Sequence, residues 1–125
     1  MTEIKEAQNS KTLSDAVVKG MLEKKASDIV LIDLRNIGNA VADFFVICSG
    51  NSDTQIDAIS DSVEDVVNKT TSDKPWRKEG KESKEWILMD YANVVVHIFR
   101  KDRREFYSLE KLWGDAIITS IEEEN

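Results

Sequence analysis

Two short runs, Asp28-Ile-Val-Leu-Ile-Asp-Leu34 and Asp43-Phe-Phe-Val-Ile-Cys-Ser49, place apolar residues at successive positions rather than at every second one. A strand with one wet face alternates apolar and polar side chains, so an unalternated strand is covered on both faces. Such strands belong in the middle of a sheet. A third apolar segment, Asn93–Phe99, follows Glu85–Met89 across the turn Asp90-Tyr91-Ala92-Asn93 and predicts a β-hairpin. Helical spacing appears between the strands. Leu13, Ala16, Val17, Met21 and Leu22 form one stripe from about Thr12 to Lys25, with Ser10 or Thr12 as N-cap. Ile56, Ile59, Val63 and Val66 form another from about Asp53 to Lys69, with Ser52 and Gln55 in capping-box spacing. A last helix is expected near Asp102, with Phe106, Leu109, Leu112 and Trp113 on its core face. Trp76 to Gly80 reads as a short strand or an extended loop. The order predicts an α/β sandwich with a mixed β-sheet flanked by helices. Its expected organisation is a disordered N-terminus over 1–10, one domain over 11–118 and an acidic tail over 119–125.

The hairpin has two dissimilar faces. Pairing across a two- or four-residue loop puts Trp86 and Leu88 with Val95, His97 and Phe99 on one side. Ile87 and Met89 then share the other side with Val94, Val96 and Ile98. The second face is wholly aliphatic and is expected to be core. The first carries an indole and an imidazole, so it is either covered by a helix or kept as a partly wet recognition surface.

Composition excludes several classes of function. The 125 residues include 24 acids and 17 bases, a net charge of −7. Free nucleic acid is therefore not an expected partner, because phosphate binding draws on positive fields. The single cysteine, Cys48, cannot form an internal disulfide, and inside an apolar strand it reads as a small buried thiol. No apolar stretch has the length of a membrane span, and the first residues lack a signal-peptide core, so a cytoplasmic protein is expected. Catalytic groups are scarce. His97, the only histidine, has no serine or cysteine beside it, and the usual zinc ligands are missing. Neither metal nor cofactor is expected. Gly50-Asn51-Ser52 before a helix offers backbone amides to an anion, which keeps a nucleotide- or phosphate-binding enzyme as the alternative reading. Neither phosphate-loop nor dinucleotide fingerprint is complete around it. Asp53, Asp57 and Asp61 read as a solvated helix face. Arg100, Lys101, Arg103 and Arg104 are offset by Asp102 and Glu105. Trp76, Trp86, Trp113 and Tyr91 are the candidate recognition anchors, with Trp86 preferred and Trp113 read as core.

Three segments carry a shared pattern: Asp43 to Ser52; Glu85 to Tyr91 with Val94 to Phe99; and Arg104-Glu-Phe-Tyr-Ser-Leu-Glu-Lys-Leu-Trp-Gly-Asp-Ala116. With Glu79-Gly80, their order and spacing closely resemble the Iojap family of ribosomal silencing factors, over about Leu13 to Ala116. Ala92-Asn93 stands where that family commonly has Gly-Asp, and Lys101-Asp102 where many members have Pro-Glu. The resemblance implies a nucleotidyltransferase-like fold lacking the catalytic acids. It implies a translational repressor, not an enzyme, that binds the large ribosomal subunit through ribosomal protein fourteen and sterically blocks joining with the small subunit. A part in large-subunit biogenesis is implied as well. Trp86, Leu88 and Tyr91 map to the partner-contact region, followed by Asp90 and His97. Besides the enzyme, an assembly protein that is a monomer or a weak homodimer through the same hairpin face remains open.

Overall fold

The computed structural model describes residues 2–107 and 116–121, with side chains over 10–104 and 116–121. Helix α1 (Thr2–Glu23) leads into strand β1 (Ser27–Asp33), which returns antiparallel as β2 (Phe44–Gly50). Helix α2 (Asp53–Thr71) follows, then β3 (Arg77–Glu79), β4 (Trp86–Asp90) and β5 (Val94–Arg100). A 3-10 helix (Lys101–Tyr107) and strand β6 (Ile117–Ile121) complete the described chain. The six strands form one mixed sheet in the order β3-β4-β5-β2-β1-β6, with β2 and β5 parallel and the other pairs antiparallel. Of the two unalternated runs, β2 is buried at every residue, whereas β1, beside the edge strand β6, is buried at Ile29, Val30 and Ile32 but exposed at Asp28 and half-buried at Ser27, Leu31 and Asp33; β5 is buried at all but Arg100.

Both long helices pack on one face of this sheet. There Val46 and Cys48 of β2, Val96 and Ile98 of β5 and Ile87 and Met89 of β4 meet Val17 and Met21 of α1 and Ile56, Ile59 and Val63 of α2. The helices themselves touch backbone to backbone. A methyl added at Gly20 would stand 2.8 Å from Cα of Val63, and Ser62 Oγ donates to the Gly20 carbonyl at 2.8 Å. Glycine is therefore required at this crossing for close approach. The opposite face carries a smaller cluster of Val30, Ile32, Phe45, Ile47, Val95 and Phe99. Among the described residues no long helix lies on it. The β1–β2 connection covers part of it instead, through Leu34, Ile37, Ala40 and Ala42.

Four expectations change. α1 begins at Thr2, so residues 2–10 are helical, not disordered, and Ser10 and Thr12 lie inside the helix rather than at its cap. Glu, Lys, Ala and Gln dominate Thr2 to Gln8, and strong helix formers extend a helix beyond its apolar stripe. At the other end, residues 117–121 are a sheet strand hydrogen-bonded to β1, not a boundary between domain and tail. Three of its five residues are isoleucine, whose branched side chain suits a pleated surface. After β5 the chain enters a 3-10 helix where an α-helix was expected; Leu109, Leu112 and Trp113 lie outside the described residues. Finally, the acidic face of α2 is paired rather than only solvated: Asp57 meets Lys84 at 2.8 Å and Lys81 at 3.3 Å, and Asp53 meets Arg100 at 3.2 Å.

Candidate partner-docking site

The hairpin register is the one read from the sequence. Trp86 pairs with Phe99, Leu88 with His97 and Asp90 with Val95, all on the face without a long helix, while Ile87 and Met89 oppose Ile98 and Val96 toward the helices. A two-residue turn at Ala92-Asn93 sets this parity, since the Tyr91 N–H donates to the Val94 carbonyl at 2.9 Å. Ala92 takes φ +72°, the left-handed conformation that costs a side-chain-bearing residue free energy. Asp90 offsets part of that cost by accepting the Ala92 N–H at 2.8 Å.

Trp86, Leu88, Asp90 and His97 therefore come together, and Tyr91 does not join them. Alternation turns Tyr91 to the helix side, where it is 7% exposed and packed in the main core. Its hydroxyl has no partner, and burial pushes its ionisation far up. Trp86 is half-buried, stacked on Phe99 with ring centroids 5.1 Å apart. Its indole Nε1–H donates to His97 Nδ1 at 3.0 Å. Nδ1 is thus the acceptor nitrogen, and a neutral imidazole must carry its proton on Nε2. His97 is 4% exposed, and burial pulls it down to about 4, so at neutral pH the ring is uncharged. Nε2 is buried without a hydrogen-bond partner.

Next to this cluster opens a groove of about 470 Å³ with a mainly apolar lining. Its base is Phe45, Leu88, Val95 and His97, and its rims are Val41 from the β1–β2 connection and Trp76 from the approach to β3. The rims are strongly exposed, Val41 at 76% and Trp76 at 69%. Trp76 is nonetheless fixed. Its indole N–H donates to Asp90 Oδ1 at 3.1 Å, its backbone N–H to the Asp90 carbonyl at 3.0 Å, and the Arg77 guanidinium stands 5.8 Å from its ring centre. An exposed aromatic tethered by hydrogen bonds beside an apolar floor suits the way interfaces concentrate binding energy. Trp76 was only one of several candidate anchors in the sequence, and Val41 carried no signal at all. Exposure of an isolated apolar residue follows from what lies across from it in space.

At Gly50-Asn51-Ser52, the junction behind the alternative reading, side chains engage part of the backbone. The Asn51 N–H donates to Gln55 Oε1 at 2.6 Å and the Gln55 N–H to Ser52 Oγ at 3.1 Å. Gln55 Nε2 donates onward to the carbonyls of Lys24 and Lys25, tying α2 to the end of α1. Two of the amides that could meet an anion, those of Asn51 and Gln55, are thereby used in capping the helix. A Cβ at Gly50 would press on Ile56 at 3.1 Å and Ile59 at 3.3 Å, so that glycine lets α2 pack closely on β2. The arginines of the basic cluster are engaged: Arg100 with Asp53 and Asp102, Arg103 with Glu85, and Arg104 with Ser49 Oγ. Cys48 is buried, and burial pushes its thiol far up. Among the described residues no group of three His, Cys, Asp or Glu is placed to hold a metal ion, and no helix is long and apolar enough to cross a membrane.

Fold and face together define an α/β protein with a mixed sheet backed by helices on one side and an aromatic-lined groove on the other. Residues 7–125 match the sequence profile of the family described as ribosomal silencing factor during starvation, and the chain belongs to that family. It is 39% identical over 114 residues to the ribosomal silencing factor RsfS of Bacillus subtilis, covering 91% of this chain and 95% of that protein. It is 32% identical over 101 residues to a mouse protein named for mitochondrial assembly of the ribosomal large subunit, covering 79% of this chain and 44% of the mouse protein. A crystal structure from Bacillus halodurans superposes with a TM-score of 0.72 at 37% identity, covering 90% of this chain and 98% of that one.

Proposed function

We propose that this chain represses translation in the cytoplasm by seating its groove face on ribosomal protein fourteen of the large ribosomal subunit. The body so placed obstructs joining with the small subunit. Steric exclusion needs no covalent step, which agrees with a groove whose charged lining residues, Asp90 and Arg77, are paired with each other and whose imidazole is neutral. The observation that carries this reading is the preorganised aromatic groove on a sheet face bearing no long helix among the described residues. Family membership supplies the ribosome, and the name of the mouse relative favours the large subunit and a part in its assembly. A net charge of −7 favours encounter with a basic ribosomal protein and opposes stray contact with RNA.

The test is to mix purified large and small subunits with saturating protein and follow subunit joining by light scattering. Joining is expected to fall with the natural protein and to recover with Leu88→Asp, which puts a charge on the groove floor. Undiminished joining with the natural protein refutes the proposal.

A further inference from the structure

The sheet has two outer strands among the described residues, and they are finished differently. β3 is short, and all three of its residues are charged. Arg77 is paired with Asp90 and Lys78 with Glu64; Pro75 lies just before the strand, and Gly80, at φ +89°, ends it. Shortness, charge and proline are the means by which proteins keep a free edge from recruiting another strand. β6 has none of them. Its five residues, Ile117-Ile-Thr-Ser-Ile121, include no charge and no proline. Ile117 is 60% exposed and Ile118 44%, and Thr119 and Ser120 are exposed as well. One side of β6 is hydrogen-bonded to β1, so its remaining backbone N–H and C=O groups face outward. The same pairing sets the faces of the strand. Ile117, Thr119 and Ile121 lie with Leu31 on the helix side, where Ile121 packs against the main core; Ile118 and Ser120 lie with Ile32 on the groove side. Each face of the edge thus presents an exposed isoleucine beside an open row of hydrogen-bonding groups.

Charge selects what pairs there. Glu122, Glu123 and Glu124 follow Ile121 directly in the sequence, and the whole chain carries −7. A second copy brings the same three glutamates and the same net charge, so self-pairing works against repulsion. A basic strand meets attraction instead. We infer that β6 takes up an extended basic segment of another protein as an added strand. Its apolar side chains cover Ile117 and Ile118, and its lysines or arginines lie toward the glutamates that follow Ile121. Main-chain hydrogen bonds along the edge supply affinity for any extended chain; the isoleucines and the glutamates supply the selection. This surface is distinct from the groove. Strands β5, β2 and β1 stand between β4 and β6, so the inference holds or fails independently of the docking role proposed above.

The experiment follows, by fluorescence anisotropy, binding of the full chain to a labelled peptide of valine and threonine that ends in lysines. A counterpart ending in glutamates is the comparison. The lysine peptide is expected to bind, more weakly as salt is raised, and the glutamate peptide to fail. Ile117→Lys and Ile118→Lys each put a charge on the edge at an exposed position. Each is expected to bind the lysine peptide about tenfold more weakly with an unchanged melting temperature. Replacing Glu122, Glu123 and Glu124 together by glutamine is expected to weaken binding and to flatten its salt dependence. Amide hydrogen exchange is expected to slow within Ile117–Ile121 when the lysine peptide is present. No binding of the lysine peptide overturns the inference, as does equal binding of the two peptides. Protection at the groove instead of β6 also overturns it. Sedimentation of the natural protein alone is expected to show a monomer; self-association that Ile117→Lys abolishes makes a second copy the occupant and overturns the inference too.

Discussion

Burial of a neutral His97 makes the stability of this protein sensitive to acid in a calculable way. In the unfolded chain the imidazole titrates near 6.5; in the folded protein burial pulls it down to about 4. Between those values the unfolded state holds a proton that the folded state refuses, so lowering the pH favours unfolding. The stabilisation is complete above the unfolded value and is lost as the pH falls toward the folded one. Worked from the two values, the loss is about 1 kcal/mol at pH 5.5 and about 2–3 kcal/mol at pH 4.5. That is a sizeable part of the roughly 5–15 kcal/mol that holds a domain together. The assay is urea unfolding followed by tryptophan fluorescence from pH 8 to pH 4.5, on the natural protein and on His97→Phe. Carboxylates titrate in both proteins and cancel in the difference. The gap between the two stabilities is expected to stay flat above about pH 7 and to widen against the natural protein below it. Parallel curves down to pH 4.5 refute the reasoning, because they require an imidazole that accepts its proton while folded.

Two further substitutions test packing and backbone. Gly20→Ala forces a methyl to within 2.8 Å of the Val63 backbone, and chemical denaturation is expected to show a loss of about 1–3 kcal/mol as the helices separate. Ala92→Gly relieves the positive φ of the hairpin turn and is expected to raise stability by about 1 kcal/mol in chemical denaturation. A fall in stability would mean that the turn is not left-handed in solution.

The amino-acid sequence by itself determined the centre of this protein. Unbroken apolar runs require cover on both sides, so β2 had to lie mid-sheet; the same reasoning holds for β1 only in part, because its neighbour β6 is the sheet edge. The parity of a two-residue turn had to bring Trp86, Leu88 and His97 to one face. The same alternation separates Tyr91 from Asp90, although similarity to a family motif groups them. Residues 117–121 escaped because a short branched segment becomes a strand only if an edge is free to receive it, and β1 provides that edge. The groove was decided by tertiary structure alone. Val41, Trp76 and His97 lie far apart along the chain and meet because β1, β3 and β5 belong to one sheet. Whether an apolar residue is core or contact depends on what the fold places opposite it. For Ile59 that is a helix-packed sheet, and for Trp76 it is solvent.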